Sequence, residues 1–404
     1  MRLGVALAAA SLVFTACGSR GGETKDNGSG NAQGSAKIAK IGVIAPQSGD
    51  LSALGLGIKN SVDLAIKQAN ESNAIPGWKL QLAVGDDQAT PDVGKNAATK
   101  LASDDKVIAV VGTLNSSVSQ SVQPVLNTAG ILQVSPANTN DTLTKGANFA
   151  TAPKRPYDNY FRVCTTDSIQ GPFAARYLFN QAHVTKVATV HDKKTYGQGL
   201  VEAFTGEWKK LGGTVVSAQT INPDDKDFSA VVSKIKPSKP QALYYGGEYP
   251  QSGPLSQQMK AAGLNIPLMG GDGMYDPTYI QLAGKTSTGD LATSVGAPTE
   301  ELDTAKKFVS DYQAASYKDS YAAYGAYSYD AANAIIRALK VGLKGAKDAK
   351  SARAAVVKAM GSVSFNGVTG KVAFDQYGDT TTKVLTVYKV QGGKWAPAST
   401  AEFK

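Results

Sequence analysis

Histidine and cysteine are nearly missing from this chain of 404 residues, with two of each, and that scarcity removes several kinds of chemistry at once. A His-rich metal site or a Ser-His-Asp triad would have to rest on His183 or His191. His191 stands beside Asp192 at the end of an apolar run, where a hydrogen-bonded structural histidine is the simpler reading. There is no phosphate-cradling Gly-x-x-x-x-Gly-Lys loop and no Gly-x-Ser-x-Gly elbow, and Gly55-Leu-Gly57-Ile-Lys-Asn60 lacks the third glycine of a dinucleotide fingerprint. No reaction, cofactor or metal is therefore expected. Long runs of positive charge are missing too: the formal charge of +9 is carried mostly by dispersed lysines, with no run longer than a pair, which argues against a nucleic-acid surface. Beyond Phe14, no apolar run is long enough to cross a bilayer.

The N-terminus has a different character. Arg2, the apolar run Leu3 to Phe14 and then Thr15-Ala16-Cys17-Gly18 have the layout of a secretory signal ending in a cleavage site. The site resembles the bacterial lipobox, in which the cysteine is acylated and becomes the new N-terminus, although Phe14 stands where leucine is usual. Residues 1–16 are read as the lipoprotein signal peptide and 17–36 as a lipid-anchored flexible tether, because Gly18 to Ala36 is Gly, Ser and Asn with scattered charges. Such a coil reaches on the order of 25 Å. With Cys17 acylated, Cys164 has no disulfide partner. The expectation is an exported monomer held by Cys17 at the outer face of the cell membrane, in the periplasm if the cell has an outer membrane.

Behind the tether, a chain that is 42% hydrophobic is enough for two domains of ordinary size. Its centre is Val107-Ile-Ala-Val-Val-Gly112-Thr-Leu-Asn-Ser116-Ser117, followed by Val118, Val122 and Val125 at helical spacing. This reads as a strand buried on both faces, a turn and a helix start, where free backbone N–H groups and two hydroxyls suit an anion such as a carboxylate. Short apolar runs alternate with amphipathic segments on both sides of it: 41–45, 80–84, 107–111 and 131–134 in a first series, then 187–190, 215–218, 242–245 and 266–269 in a second. Strands spaced in this way by helices imply βαβ units and parallel sheets in two similar lobes. The remaining elements, to residue 390, are too few for a third domain and should complete the two lobes. In open α/β sheets ligands bind beyond the carboxyl ends of the strands, so two facing lobes make a cleft lined by strand-to-helix turns.

Those turns suit recognition without reaction. Ser116, Ser135 and Thr139 offer hydroxyl and backbone donors for a carboxylate, while Asp272 in Gly270-Gly271-Asp272-Gly273 offers an acceptor for an ammonium group. Together the two ends describe an amino acid. Tyr196, Tyr324, Tyr327 and Tyr329 supply flat amphipathic surface to cover it, or simply pack in the core.

Four segments, Val190-His191-Asp192-Lys-Lys-Thr-Tyr196-Gly197-Gln-Gly199-Leu200, Asp225-Lys-Asp227-Phe228-Ser229, Tyr244-Tyr245-Gly246-Gly247 and Gln170-Gly171-Pro172, together with Val134-Ser135-Pro136-Ala137-Asn-Thr139, resemble the leucine/isoleucine/valine-binding proteins. These are the substrate-binding components of branched-chain amino acid ABC importers, and the likeness runs in order from about Lys37 to about Val390. It implies the type I periplasmic-binding-protein fold: α/β, two Rossmann-like lobes with parallel central sheets joined by a three-crossover hinge. Lobe 1 would be 37–165 plus 297–384, and lobe 2 166–296 plus 385–404. The resemblance puts Ser116, Ala137 and Thr139 on the α-carboxylate and α-amino group, and Tyr196 and Asp272 opposite them. Asp272 is shorter than the family's Glu; Leu54 stands where relatives have an aromatic and Glu248 where they have a Tyr; Ala89 and Asn115 replace two disulfide cysteines. Tyr324 aligns with a Phe of the side-chain pocket, with Tyr327 one turn away as the alternative. Glu248 should meet a ligand cation or a nearby Lys or Arg, or stay wet at the rim, and the turn-like Tyr249-Pro250-Gln251-Ser252 favours the rim. The implied partners are an amino-acid ligand and an ABC permease, with no nucleic acid. The alternatives are a ligand-sensing surface receptor of the same fold and an exported α/β enzyme.

Overall fold

Val- and Ile-rich β1 (Lys37–Ala45) leads into α1 (Ser52–Glu71), and the alternation continues through β2 (Trp78–Asp86), α2 (Pro91–Ala102), β3 (Val107–Gly112), α3 (Ser116–Thr128), β4 (Leu132–Ser135), the single turn α4 (Thr142–Lys145) and β5 (Tyr160–Arg162). The computed structural model describes residues 36–404, so the expected signal peptide, Cys17 and the tether to residue 35 lie outside the described residues. The five strands form one parallel sheet in the order β2-β1-β3-β4-β5. β3 takes the middle, and all six of its residues are buried, as a continuous apolar run requires when both faces are covered. On one face Val118, Val122 and Leu126 of α3 close with Leu101 of α2 over Ile44 and Val110. Each such side chain contributes about 1.5–3 kcal/mol by leaving water.

The second lobe runs through α5 (Asp167–Arg176), β6 (Lys186–His191), α6 (Thr195–Lys210), β7 (Thr214–Thr220), α7 (Ser229–Ile235), β8 (Ala242–Gly246), α8 (Tyr249–Ala261), β9 (Leu268–Gly270), α9 (Pro277–Ala283) and β10 (Leu291–Ser294). Its core stacks Phe204 of α6 on Tyr244 of β8 at 3.7 Å and on Trp208 at 5.4 Å, between ring centroids. The chain then forms α10 (Lys306–Ala314), α11 (Gly325–Gly342), α12 (Ala349–Met360), a small antiparallel ribbon of β11 (Ser364–Gly367) and β12 (Gly370–Ala373), and finally β13 (Val384–Gln391) and β14 (Lys394–Glu402). Helices α11 and α12 pack on α1, β3 and β4 of the first lobe, whereas β13 and β14 return to the second. The second sheet, β14-β13-β10-β9-β8-β6-β7, is parallel from β7 to β10 and is extended by two antiparallel strands.

The chain therefore passes between lobes three times: after β5, after β10 and before β13. The first and third passages are pinned by Arg162, fully buried, whose Nε lies 2.6 Å from Asp379 Oδ1. The same guanidinium donates to the carbonyls of Asn138 (2.8 Å) and Asn140 (2.9 Å), which fixes the turn that follows β4. Burial alone would raise the Asp379 pKa, but Arg162 and Lys145 hold it below the usual carboxylate range. A buried charge met by an opposite charge and by carbonyls in this way is affordable.

Candidate binding cleft between the lobes

Two strand-to-helix turns of the first lobe face three of the second. In the first lobe, α3 begins at Ser116, and its first helical bond runs from Ser119 N–H to Asn115 O. The N–H groups of Ser116, Ser117 and Val118 therefore have no acceptor within the helix, and the positive end of α3 points at the cleft. The turn after β4 contributes Ala137. Opposite them, Tyr196 lies in the first turn of α6, which Gly197 and Gly199 do not open into a loop. The glycines serve close approach instead: a Cβ on Gly197 would lie 2.4 Å from the carbonyl oxygen of Gly246, and one on Gly199 would lie 2.3 Å from the Asn140 amide of the other lobe.

Between these turns lies a cavity lined by Leu54, Leu114, Asn115, Ser116, Ala137, Tyr196, Glu248, Asp272, Gly273 and Tyr324. Its volume is about 10 Å³, room for about one water. An amino acid enters only when the lobes part. At its centre Asp272 is 2% exposed and accepts hydrogen bonds from Tyr196 (2.8 Å) and, across the cleft, from Tyr324 of the first lobe (2.7 Å). Neither partner carries a charge. Burial pushes the Asp272 carboxyl above its ordinary pKa, and the Tyr324 and Tyr196 hydroxyls only partly offset this.

Most of the residues singled out from sequence meet here; Ser135, Thr139, Tyr327 and Tyr329 do not. Ser135 is fully buried but does not line the cavity, because its hydroxyl donates to the Thr113 carbonyl (3.0 Å) and accepts from the N–H groups of Ala137 and Asn138. It is a turn-builder that shapes the backbone of Ala137. Thr139 is also buried outside the lining; its hydroxyl faces Asp167 without a hydrogen bond of good geometry. Tyr324, not Tyr327, reaches the cavity.

Glu248 corrects the expectation of a wet rim. It is 4% exposed and takes a hydrogen bond from Asn115 of the first lobe (2.7 Å) and an ion pair from Lys194. Lys194 also lies 3.2 Å from Asp192. Burial opposes charge on Lys194, but Glu248 and Asp192 outweigh it and raise its pKa. The turn-like Tyr249-Pro250-Gln251-Ser252 is the first turn of α8, with Glu248 as its N-cap residue. Lys194 of its own lobe and Asn115 of the other both meet it. Sequence reasoning did not single out Asn115, Leu114, Gly273 and Lys194 as ligand residues, although all four lie in the strand-to-helix turns 113–117, 191–199 and 270–276 that it expected to line the cleft. His191 is half-buried and its Nδ1 accepts from the Lys193 N–H (3.1 Å), a structural role. Cys164 is buried and free.

Two α/β lobes, a three-strand hinge and a cleft that carries an anion-binding helix end on one side and a buried carboxylate on the other define a two-lobed solute-binding protein. The chain belongs to the periplasmic binding protein family, whose model matches residues 39–394. It is 32% identical over 355 residues to the Leu/Ile/Val-binding protein BraC3 of Rhizobium johnstonii, covering 88% of this chain and 92% of that protein. It is likewise 32% identical over 350 residues to an amino acid binding protein of Pseudomonas aeruginosa, covering 86% of this chain and 89% of that one. Among solved structures it is similar to the branched-chain amino acid transporter substrate-binding protein LivJ of Streptococcus pneumoniae in complex with isoleucine. That match has a TM-score of 0.80 at 27% identity and covers 91% of this chain and all of that one. The leucine-binding protein LivK of Thermotoga maritima matches with the same TM-score and identity, over 90% and 99% of the two chains.

Proposed function

We propose that this chain is the substrate-binding component of an ABC importer, capturing an amino acid of the branched-chain type or a close analogue and delivering it to the permease without altering it. The observation that carries this reading is Asp272: a buried carboxylate between two neutral phenols, opposite the free N–H groups of α3 and the Ser116 hydroxyl. A ligand ammonium supplies the missing cation and a ligand carboxylate takes the helix end. The side-chain end of the cavity is Leu54, Leu114 and Ala137. Glu248 is already paired with Lys194, so it does not itself call for a cationic side chain, and an apolar one is favoured. Ser116 and Ala137 are assigned to the ligand's charged groups from the first lobe, Tyr196 and Asp272 from the second, with Tyr324 and Leu54 against the side chain; Thr139, which the resemblance also put on those groups, lies outside the lining. We assign lobe 1 to 37–165 plus 297–384 and lobe 2 to 166–296 plus 385–404, in a monomer tethered through an acylated Cys17.

A thermal-shift panel of amino acids, amides and small carboxylates tests this. A ligand at a thousand times its Kd adds about 4 kcal/mol, and at roughly 2–4 °C per kcal/mol for a large domain the midpoint moves visibly. If no amino acid moves it while another class does, the assignment is wrong.

A further inference from the structure

We infer that a second cavity, on the hinge side of the molecule and separate from the cleft, is a binding site for a small organic cation. It lies where the second passage between the lobes, Ala297 to Glu301, runs past β13 and β14 on one side and the residues leading into α11 on the other, and its volume is about 600 Å³. That is within the roughly 300–1,000 Å³ of ligand pockets. Its walls are aromatic: Tyr275 stacks on Tyr388 at 4.0 Å and meets Trp395 at 5.9 Å and a 58° tilt, while Tyr321 and Tyr327 close the side that belongs to the first lobe. The Trp395 indole is held in place by donating to the Asp276 carbonyl at 2.9 Å. Tyr327 is held by the passage itself, since a Cβ on Gly296 would fall 1.6 Å from its hydroxyl.

The charge around these rings has one dominant sign. Glu300 and Glu301 line the cavity and are exposed, Glu300 accepts a hydrogen bond from Tyr321, and Lys394 is the single cation in the lining. The field reaches the rings: burial first, and then Glu300 among nearby charges, pushes the Tyr275 phenol up to about 12. Electron-rich ring faces beneath a carboxylate mouth attract an ammonium carried on a compact apolar body, because the cation gains from the ring quadrupoles and from the carboxylates together. An anion would meet two like charges, and a neutral apolar molecule would gain only the rings.

The test is calorimetric titration of the full chain with choline and with its neutral isostere 3,3-dimethylbutan-1-ol. Choline should bind saturably at one site, and the alcohol more weakly by on the order of tenfold. Glu300→Gln, a change at an exposed side chain that leaves the fold intact, should weaken choline severalfold and leave amino-acid binding unchanged; Trp395→Leu should abolish choline binding. Asp272→Asn should leave choline binding intact, which separates this site from the cleft whatever the cleft binds. The inference is overturned if choline shows no saturable binding, if the alcohol binds equally well, or if Asp272→Asn removes choline binding.

Discussion

Replacing Asp272 by Asn removes one charge and almost no volume, and the structure assigns the two consequences opposite signs. In the closed form without ligand the carboxylate is buried with two phenol donors and no cation, and its pKa is raised, burial being the largest cause. A carboxyl whose folded pKa exceeds its unfolded value stabilises the fold below the unfolded pKa and loses that contribution as pH rises through the folded one, so at neutral pH the ionised group is a cost. Asn keeps an oxygen to accept from one tyrosine and turns an N–H₂ toward the oxygen of the other. The variant should therefore be at least as stable as the wild type to urea without ligand. Binding should fall steeply, since truncating one partner of a buried charge pair costs about 2–5 kcal/mol, or roughly thirtyfold to a few thousandfold in Kd. Calorimetry with the ligand found in the panel and ligand-free urea melts at pH 7 give the two numbers. Unchanged affinity, or a loss of affinity matched by a loss of stability, would refute the assignment of Asp272 to the ligand's ammonium.

Glu248→Gln should weaken binding by on the order of tenfold, because its contacts with Lys194 and with Asn115 of the other lobe support closure rather than the ligand; a loss larger than that of Asp272→Asn would mean a cationic ligand. Asp87, fully buried with one carboxyl oxygen unpartnered, has its pKa raised to about 7 by burial first. Asp87→Asn should thus gain stability over the wild type as pH rises from about 4 to 8, by up to about 4 kcal/mol, and urea melts that show no pH-dependent difference would contradict this. Cys17→Ser should abolish labelling by a radioactive fatty acid while ligand binding persists; persistent labelling would place the anchor elsewhere.

The central strand, its turn and the helix after it were legible because each is written locally: five apolar residues, a glycine, then valines at helical spacing. Where sequence reading failed, the deciding contact came from elsewhere in the chain. α5 was missed because Gly171 and Pro172 interrupt it, and β14 because a mostly exposed edge strand containing Pro397 shows no alternation. Ser135 looked like Ser116, a hydroxyl in a strand-to-helix turn; what separates them is that two N–H groups of its own turn already use the Ser135 oxygen. Glu248 was misjudged for the converse reason. Its neighbours do form a local turn, but Lys194, distant in sequence, and Asn115 of the other lobe meet it there.

That same interface bears on how closure stays conditional on ligand. Several bonds join the lobes without any ligand: Asn115 to Glu248 (2.7 Å), the Asn140 amide to the Thr195 carbonyl (3.0 Å), Thr195 to Gln120 (2.9 Å) and Tyr249 to the Asp50 carbonyl (2.5 Å). Each is worth about 0.5–1.5 kcal/mol net, so together they favour closure. A binding protein that closed fully by itself would present the permease with empty and loaded forms alike, and a ligand shifts an equilibrium only by its differential affinity for the two states. The counterweight is Asp272, which closing removes from water without providing a cation. An ammonium group cancels that penalty, whereas a neutral analogue of the same shape leaves it in place. On this reading the unpaired carboxylate is what makes closure report the presence of an amino acid rather than the mere filling of the cleft.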